Sequence, residues 1–169
     1  SKGSPTFMDA PLPRAVFLSY ASQDAGVARQ VCEALHAEGI EVWFDESQLT
    51  GGEAWDTSIR RQIRDCTLFI PIISAQTQER HEGYFRLEWK IADERSQLIA
   101  EGTPFLLPVV ADGIKEREAL VPKSFLTVQW SWLPHGAVPP AFVLRVKKVL
   151  GTSSTRQAAA PASEPSGPQ

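Results

Sequence analysis

In Tyr84-Phe-Arg-Leu-Glu-Trp89 an aromatic ring, a carboxylate and a second ring fall within little more than one helical turn. Residues four apart on a helix stand one above the other, so Tyr84 and Glu88 share a face. A positioned carboxylate can stabilise a developing cation, hold hydroxyl groups or activate water, and a nearby aromatic face can stack on a flat ring. By residue type alone, a glutamate near the start of an amphipathic helix is more often a solvated side chain, and Tyr84 serves equally well in a core. Ser19 and Tyr20 end the first apolar run, where a hydroxyl and a ring either meet a ligand or close the core. Asp45 follows the second apolar run and either bonds a ligand hydroxyl or caps a turn, while Trp55 either packs or touches a ligand. His36, His81 and His135 are scattered without a second ligand at metal spacing, so no metal site is expected.

These groups need elements to hold them. Ala15-Val-Phe-Leu-Ser-Tyr20 is an apolar run after Pro13 and reads as a fully buried strand. Ala25 to Glu38 sets Ala28, Val31, Cys32 and Leu35 on one helical face, with Ser22 and Asp24 as candidate caps and Gly39 as its stop. Ile40-Glu-Val-Trp-Phe44 reads as a second, more exposed strand, followed by a loop through Leu49-Thr-Gly-Gly52. Trp55 to Cys66 reads as a helix, with Trp55, Ile59, Ile63 and Cys66 on its apolar side, and it feeds a third strand over Thr67 to Ser74. Pro71 inside that run costs a ladder bond and predicts an irregular strand. Tyr84 to Ile99 is helical, with Phe85, Trp89, Ala92 and Ile99 on one face and Leu87, Ile91 and Leu98 beside it. Pro104 to Val110 gives a fourth strand, Leu126 to Trp130 a short fifth, and Ala141 to Leu150 a closing helix.

Strands alternating with helices imply a parallel sheet covered on both faces, and such sheets bind ligands outside the carboxyl ends of their strands. The loops after Tyr20, Phe44 and Ser74 therefore converge on one crevice. Leu18-Ser-Tyr-Ala-Ser22 lacks the glycine-rich turn of a dinucleotide-binding Rossmann domain, and no phosphate-binding Gly-x4-Gly-Lys motif occurs. A response-regulator receiver fails too, because the acidic pair and the phosphoacceptor aspartate are missing from the strand ends.

The chain has 169 residues, 43% of them hydrophobic and 22% charged, with a net charge of -3. That suits one domain of ordinary size and leaves no basic footprint for nucleic acid. Cys32 and Cys66 fall in apolar helical stretches and read as small core residues in a reducing compartment. Neither a membrane-length apolar run nor a signal pattern is present, so the expected location is the cytoplasm. Residues 1–13 read as a disordered segment or cloning remnant, and residues 151–169, rich in Pro, Ala and Ser, as a disordered linker to a further domain.

Four segments together resemble the TIR family: Ala15-Val-Phe-Leu-Ser-Tyr-Ala-Ser22; Gly39-Ile-Glu-Val-Trp-Phe-Asp45 with Leu49-Thr-Gly-Gly-Glu53; Ile59 through Ser74; and Tyr84-Phe-Arg-Leu-Glu-Trp89. The last is similar to the Trp-x-x-x-Glu pattern of enzymatic members, with Tyr84 in place of the tryptophan. The resemblance runs over residues 14–150. It implies a flavodoxin-like α/β sandwich with a five-stranded parallel sheet in the order 2-1-3-4-5 and helices on both faces. It also implies cleavage of the nicotinamide–ribose bond of NAD+, with Glu88 as the catalytic carboxylate, NAD+ as substrate and no cofactor. Ser19, Tyr20, Asp45, Trp55, Tyr84 and Arg86 are then the expected substrate contacts. Arg86 enters because many members carry an arginine after the strand-one aromatic, where this chain has Ala21 and Ser22; Arg86 or a neighbouring protomer would supply the diphosphate contact. The loop with Leu49, Gly51 and Gly52 would move when domains stack, since adjacent glycines permit two backbone settings. Self-association would then switch activity, a C-terminal sensor would drive assembly, and phage defence would be the setting. A non-enzymatic TIR scaffold and a host-directed effector remain the rival readings, and linear and cyclic products stay open.

Overall fold

The structure is a computed structural model. It describes residues 15–43, 53–80, 82–100, 102–111, 119–133 and 137–151, the side chains of 53–56 excepted. In chain order the elements are β1 (Val16–Ser19), α1 (Ala25–His36), β2 (Val42–Trp43), α2 (Glu53–Asp65), β3 (Leu68–Ile73), α3 (Ala75–Glu79), α4 (Tyr84–Ser96), β4 (Val109–Val110), β5 (Ser131–Trp132) and α5 (140–151). The five strands form one sheet in the order β2-β1-β3-β4-β5, and every pair is parallel, the flavodoxin-like arrangement.

The pleat of β1 and β3 sorts the core into two layers. Val16, Leu18 and Tyr20 face one way with Leu68, Ile70 and Ile72, and meet Ala28, Val31 and Leu35 of α1 and Phe142, Val146 and Leu150 of α5. Phe17 and Ala21 face the other way with Phe69 and Ile73, and meet Ile59 and Ile63 of α2 and Phe85, Trp89 and Ala92 of α4. Successive side chains of a strand alternate faces, so four residues of β1 serve both layers. In the second layer the register partners Phe17 and Phe69 stack with ring centroids 5.5 Å apart. Phe69 continues to Phe125 at 6.4 Å, Phe125 to Trp89 at 5.5 Å and Trp89 to Phe85 at 5.2 Å. This aromatic chain ties the central strands to the helix that carries Glu88.

Pro71 interrupts the sheet on one side only. Phe69 N–H donates to Phe105 O, and Phe69 O and Ile73 O accept from Leu107 and Ala111, so the odd residues of β3 bond toward β4. Pro71 shares that direction and has no N–H to give. The β3–β4 pairing accordingly splits into an isolated bridge, Phe69 with Leu106, and a short ladder beginning at Ile72 with Val109. On the β1 side the register runs unbroken from Val16 with Leu68 to Ser19 with Pro71. Pro104 and Pro108 remove further donors, which shortens the fourth strand from the expected 104–110 to Val109–Val110.

Other expectations need correction. Leu126 to Trp130 is not the fifth strand: Pro122 opens a 3-10 turn over Lys123–Thr127, Phe125 is buried in the aromatic layer, and the strand follows at Ser131–Trp132. Trp130 Nε1 donates to Phe125 O at 2.7 Å and holds that turn closed. The helix expected to reach Ile99 ends at Ser96, leaving Leu98 88% exposed. A short helix, α3, follows β3 directly; Ser74 and Thr77 exchange side-chain and backbone hydrogen bonds as a capping box. The first helix stops at His36, and Gly39 takes φ +79°, a setting that favours glycine. Among the described residues no helix is long and apolar enough to cross a membrane.

Neither cysteine is in a disulfide; Cys66 is fully buried and Cys32 half-buried. Burial pushes the Cys66 thiol up to about 12, against the opposing pull of the nearby Arg95 guanidinium. A folded-state value above the ordinary 9.0 stabilises the fold fully below pH 9, and that contribution is lost as pH rises from there toward 12. Iodoacetamide at pH 8 is therefore expected to alkylate Cys32 in the native protein and Cys66 only after denaturation, as read by mass spectrometry. Phe69→Ala, which removes the ring joining β1 to the aromatic layer, is expected to cost about 3–5 kcal/mol in urea unfolding.

Candidate active site

Ser19 is the last residue of β1, and its alternation with Phe17 aims it at the layer containing α4. Glu88 lies one turn into α4, on the side where Phe85, Trp89 and Ala92 are buried. Both side chains are fully buried, and Ser19 Oγ donates to Glu88 Oε1 at 2.6 Å. Carboxylates are almost never fully buried without such a partner, so this glutamate is not the solvated helix residue its type suggests. The bond joins residues 69 positions apart and lies at the carboxyl end of the sheet, where parallel α/β sheets hold ligands.

A second hydroxyl–carboxylate pair stands at the same end. Asp24, at the N-cap position of α1, makes no capping bond with its side chain. It accepts instead from the Ser74 hydroxyl beyond β3. Both are buried, and the pair ties the loop after β1 to the loop after β3. By sequence Asp24 is a candidate helix cap; the convergence of those two loops is the signal for its partner Ser74.

The remaining candidates separate. Tyr84 stands four residues before Glu88 and is 42% exposed, which places its ring at the surface and not in the core. Tyr20 is buried in the opposite layer, with α1 and α5, because the pleat sends it away from Ser19. Arg86 turns its guanidinium onto main-chain carbonyls. Its Nε and Nη2 donate to Arg80 O at 3.1 and 3.0 Å, Nη1 to Leu120 O at 2.6 Å, and Nη2 also to Thr77 O. The guanidinium lies 5.0 Å from the Phe85 ring centroid and 5.2 Å from that of Trp89, and burial lowers its pKa from the ordinary arginine value. Arg80, which sequence reasoning passed over, reaches the loop after β1, where its Nη1 donates to Gln23 Oε1 at 3.0 Å. Asp45, Leu49, Gly51 and Gly52 lie outside the described residues; Trp55 belongs to α2, but its side chain lies outside them too.

Chemically, the site offers one oriented carboxylate, a hydroxyl donor that fixes one of its oxygens, and an aromatic face at the surface one turn away. A carboxylate held this way suits stabilisation of a cation that develops during bond cleavage. Among the described residues no three His, Cys, Asp or Glu side chains are grouped to hold a metal.

The family model for the TIR domain matches residues 16–136. The chain is 30% identical over 103 residues to the NAD(+) hydrolase TcpA of Theionarchaea archaeon (strain DG-70-1), a stretch covering 60% of this chain and 30% of that protein. It is 30% identical over 94 residues to the 2' cyclic ADP-D-ribose synthase BtTIR of Bacteroides thetaiotaomicron, covering 55% and 31%. The chain thus spans roughly a third of the length of the curated relatives it matches. Among solved structures, the TIR domains of the activated Roq1 resistosome, which directly recognises the pathogen effector XopQ, align with a TM-score of 0.50 at 16% identity over 84% of each chain, a likeness of fold. The family match runs from β1 past β5 and takes in both Ser19 and Glu88, and on that match the chain belongs to the TIR domain family.

Proposed function

We propose that this domain cleaves the bond between nicotinamide and ribose in NAD+, with Glu88 as the catalytic carboxylate. The observation that carries this reading is the fully buried Glu88, bonded by Ser19 Oγ at 2.6 Å at the carboxyl end of the sheet of a TIR domain. The names of the two relatives, an NAD(+) hydrolase and a cyclic ADP-D-ribose synthase, support the same chemistry.

The nicotinamide ring of NAD+ carries a positive charge while bonded. When the ring nitrogen separates from the ribose C1′, the electron pair of the broken bond stays on the nitrogen and nicotinamide leaves neutral. The leaving group needs no proton. The positive charge passes to the ribose as an oxocarbenium ion, and a carboxylate beside it lowers the barrier electrostatically. This is glycoside cleavage with one carboxylate in place of two. Water then adds at C1′ and loses a proton, so NAD+ and water become nicotinamide, ADP-ribose and H+; capture by a hydroxyl of the same molecule gives a cyclic isomer instead. In this reading Ser19 holds the carboxylate in place, Tyr84 offers a face to a flat ring, and Asp45 and Trp55 add contacts to the substrate.

Glu88 is 0% exposed, so ribose reaches it only after the side chains covering it part. A resting state with a sealed carboxylate favours control by whatever stabilises an open form. Assembly of TIR domains on one another is the switch in this reading, and NAD+ depletion during phage attack is its setting.

Nicotinamide release, followed by chromatography at high protein concentration or with a crowding agent, tests the proposal. Glu88→Gln is expected to lower the rate by roughly 100-fold or more, and Ser19→Ala by about 10-fold through loss of a hydrogen bond to a charged group. If the assembled native chain releases no nicotinamide, a non-enzymatic scaffold becomes the better reading. The activity per molecule is expected to rise with protein concentration; a flat dependence over the range in which light scattering detects assembly would remove assembly as the switch.

A further inference from the structure

We infer that Arg86 is a positioning residue, whose guanidinium clamps the turn between α3 and α4 to the 119–122 segment so that the first turn of α4 delivers Glu88 to Ser19. The inference rests on the reading of Glu88 as the catalytic carboxylate.

The four hydrogen bonds of Arg86 among the described residues end on main-chain carbonyls: Thr77 within α3, Arg80 at its C-cap, counted twice, and Leu120 from a distant stretch of chain. Leu120 is held from both sides, because its own N–H donates to Gln78 Oε1 at 2.5 Å. The clamp therefore gathers α3, the start of α4 and the segment leading to the Lys123–Thr127 turn around one planar cation. No carboxylate neutralises that cation among the described residues; the rings of Phe85 and Trp89 flank it instead. Close packing where the chain enters α4 points the same way. A Cβ on Gly83 would lie 2.9 Å from Phe85 Cε1 and 3.1 Å from Arg80 Nη2, so this glycine allows the chain to pass close to the Phe85 ring that flanks Arg86.

Positioning, and not contact, follows from helix geometry. Residues two apart on a helix do not face each other, so Arg86 grips one side of the first turn of α4 while Glu88 projects from another. The Phe125 ring, on the Lys123–Thr127 turn, lies 5.5 Å from Trp89 and supports the next turn of α4. α4 thus reaches Ser19 with its first turn held at several points. A displacement of about 1 Å at a reacting group can cost on the order of 100-fold in rate. Only a planar fork with several donors spans three separate carbonyl sites, which a lysine ammonium on a single flexible stem does not.

The test compares Arg86→Gln and Arg86→Lys with the native chain, under the assembly conditions used for nicotinamide release. With Gln, kcat is expected to fall roughly 10- to 100-fold while KM stays within about twofold. Lys is expected to recover only part of the loss. Crystal structures of the native chain and Arg86→Gln supply a readout that needs no activity: in the variant Ser19 Oγ and Glu88 Oε1 are expected to separate beyond about 3.5 Å. A raised KM with kcat intact makes Arg86 a substrate contact and overturns the inference, as does an unchanged kcat. Should the native chain prove inactive, the reading of Glu88 fails, and the crystallographic distance still decides the clamp: a retained bond in the variant refutes it. If Arg86→Gln does not fold, the same distance and rates measured in Arg86→Lys decide the matter.

Discussion

The parallel pairing of β1 with β3 is the constraint on which the rest of this domain depends. β1 has only four residues, all buried, and lies between β2 and β3. Its pleat must therefore satisfy two core layers at once. Val16 and Leu18 supply one layer; Phe17 and Ser19 supply the other. A register slip of one residue would send Ser19 toward α1 and α5 and Leu18 toward Glu88, replacing a hydrogen-bond donor by an apolar side chain. The unbroken ladder from Val16 with Leu68 to Ser19 with Pro71 prevents that slip. Pro71 weakens only the β4 side, where the sheet carries fewer obligations to the site.

Placing a carboxylate in such a core works against stability, since burial of a charge is costly unless hydrogen bonds offset it. The Ser19 hydroxyl meets part of that cost at one oxygen of Glu88. The surrounding packing is aromatic and crowded, from Phe17 and Phe69 through Phe125 to Trp89 and Phe85. Close packing of this kind defines the resting orientation of Glu88. Asp24 and Ser74 repeat the hydroxyl–carboxylate pairing between two loops and hold the rim of the same end of the sheet. Local rules for a surface helix would have put neither acid in the interior, and departures of this sort are where a fold gives up stability for a site.

Arg86 shows how one residue type supports different readings in sequence and in space. Near a candidate carboxylate, a cation in a linear sequence suggests an anionic ligand. In the fold, the same guanidinium faces Thr77 O, Arg80 O and Leu120 O, and it serves as a multivalent donor to the main chain. Cys66 follows the same logic in a simpler form. Its thiol is an ordinary small core group whose ionisation burial suppresses.

The sequence by itself determined the architecture, because alternating apolar runs and amphipathic faces admit few arrangements other than a parallel sheet covered on both sides. Ala28, Val31 and Leu35 are buried on the face their spacing predicts, and Cys32 of the same face is half-buried. Glu88 stands out in the sequence as a candidate, through a family-like segment more than through its type. Tertiary structure decided the rest. The fifth strand shifted to Ser131–Trp132 because Pro122 and the buried Phe125 favour a turn where propensity suggested a strand. Helix α3 appeared because Ser74 and Thr77 cap each other, a local exchange hidden behind the long apolar run before it. Ser19 met Glu88, Tyr20 turned away from it, Asp24 left its helix cap for Ser74, and Arg86 closed on backbone carbonyls. Each of these depends on partners distant in the chain or on the face a side chain takes once strands are paired. Periodicity states that a residue is buried; only the packed register states against what.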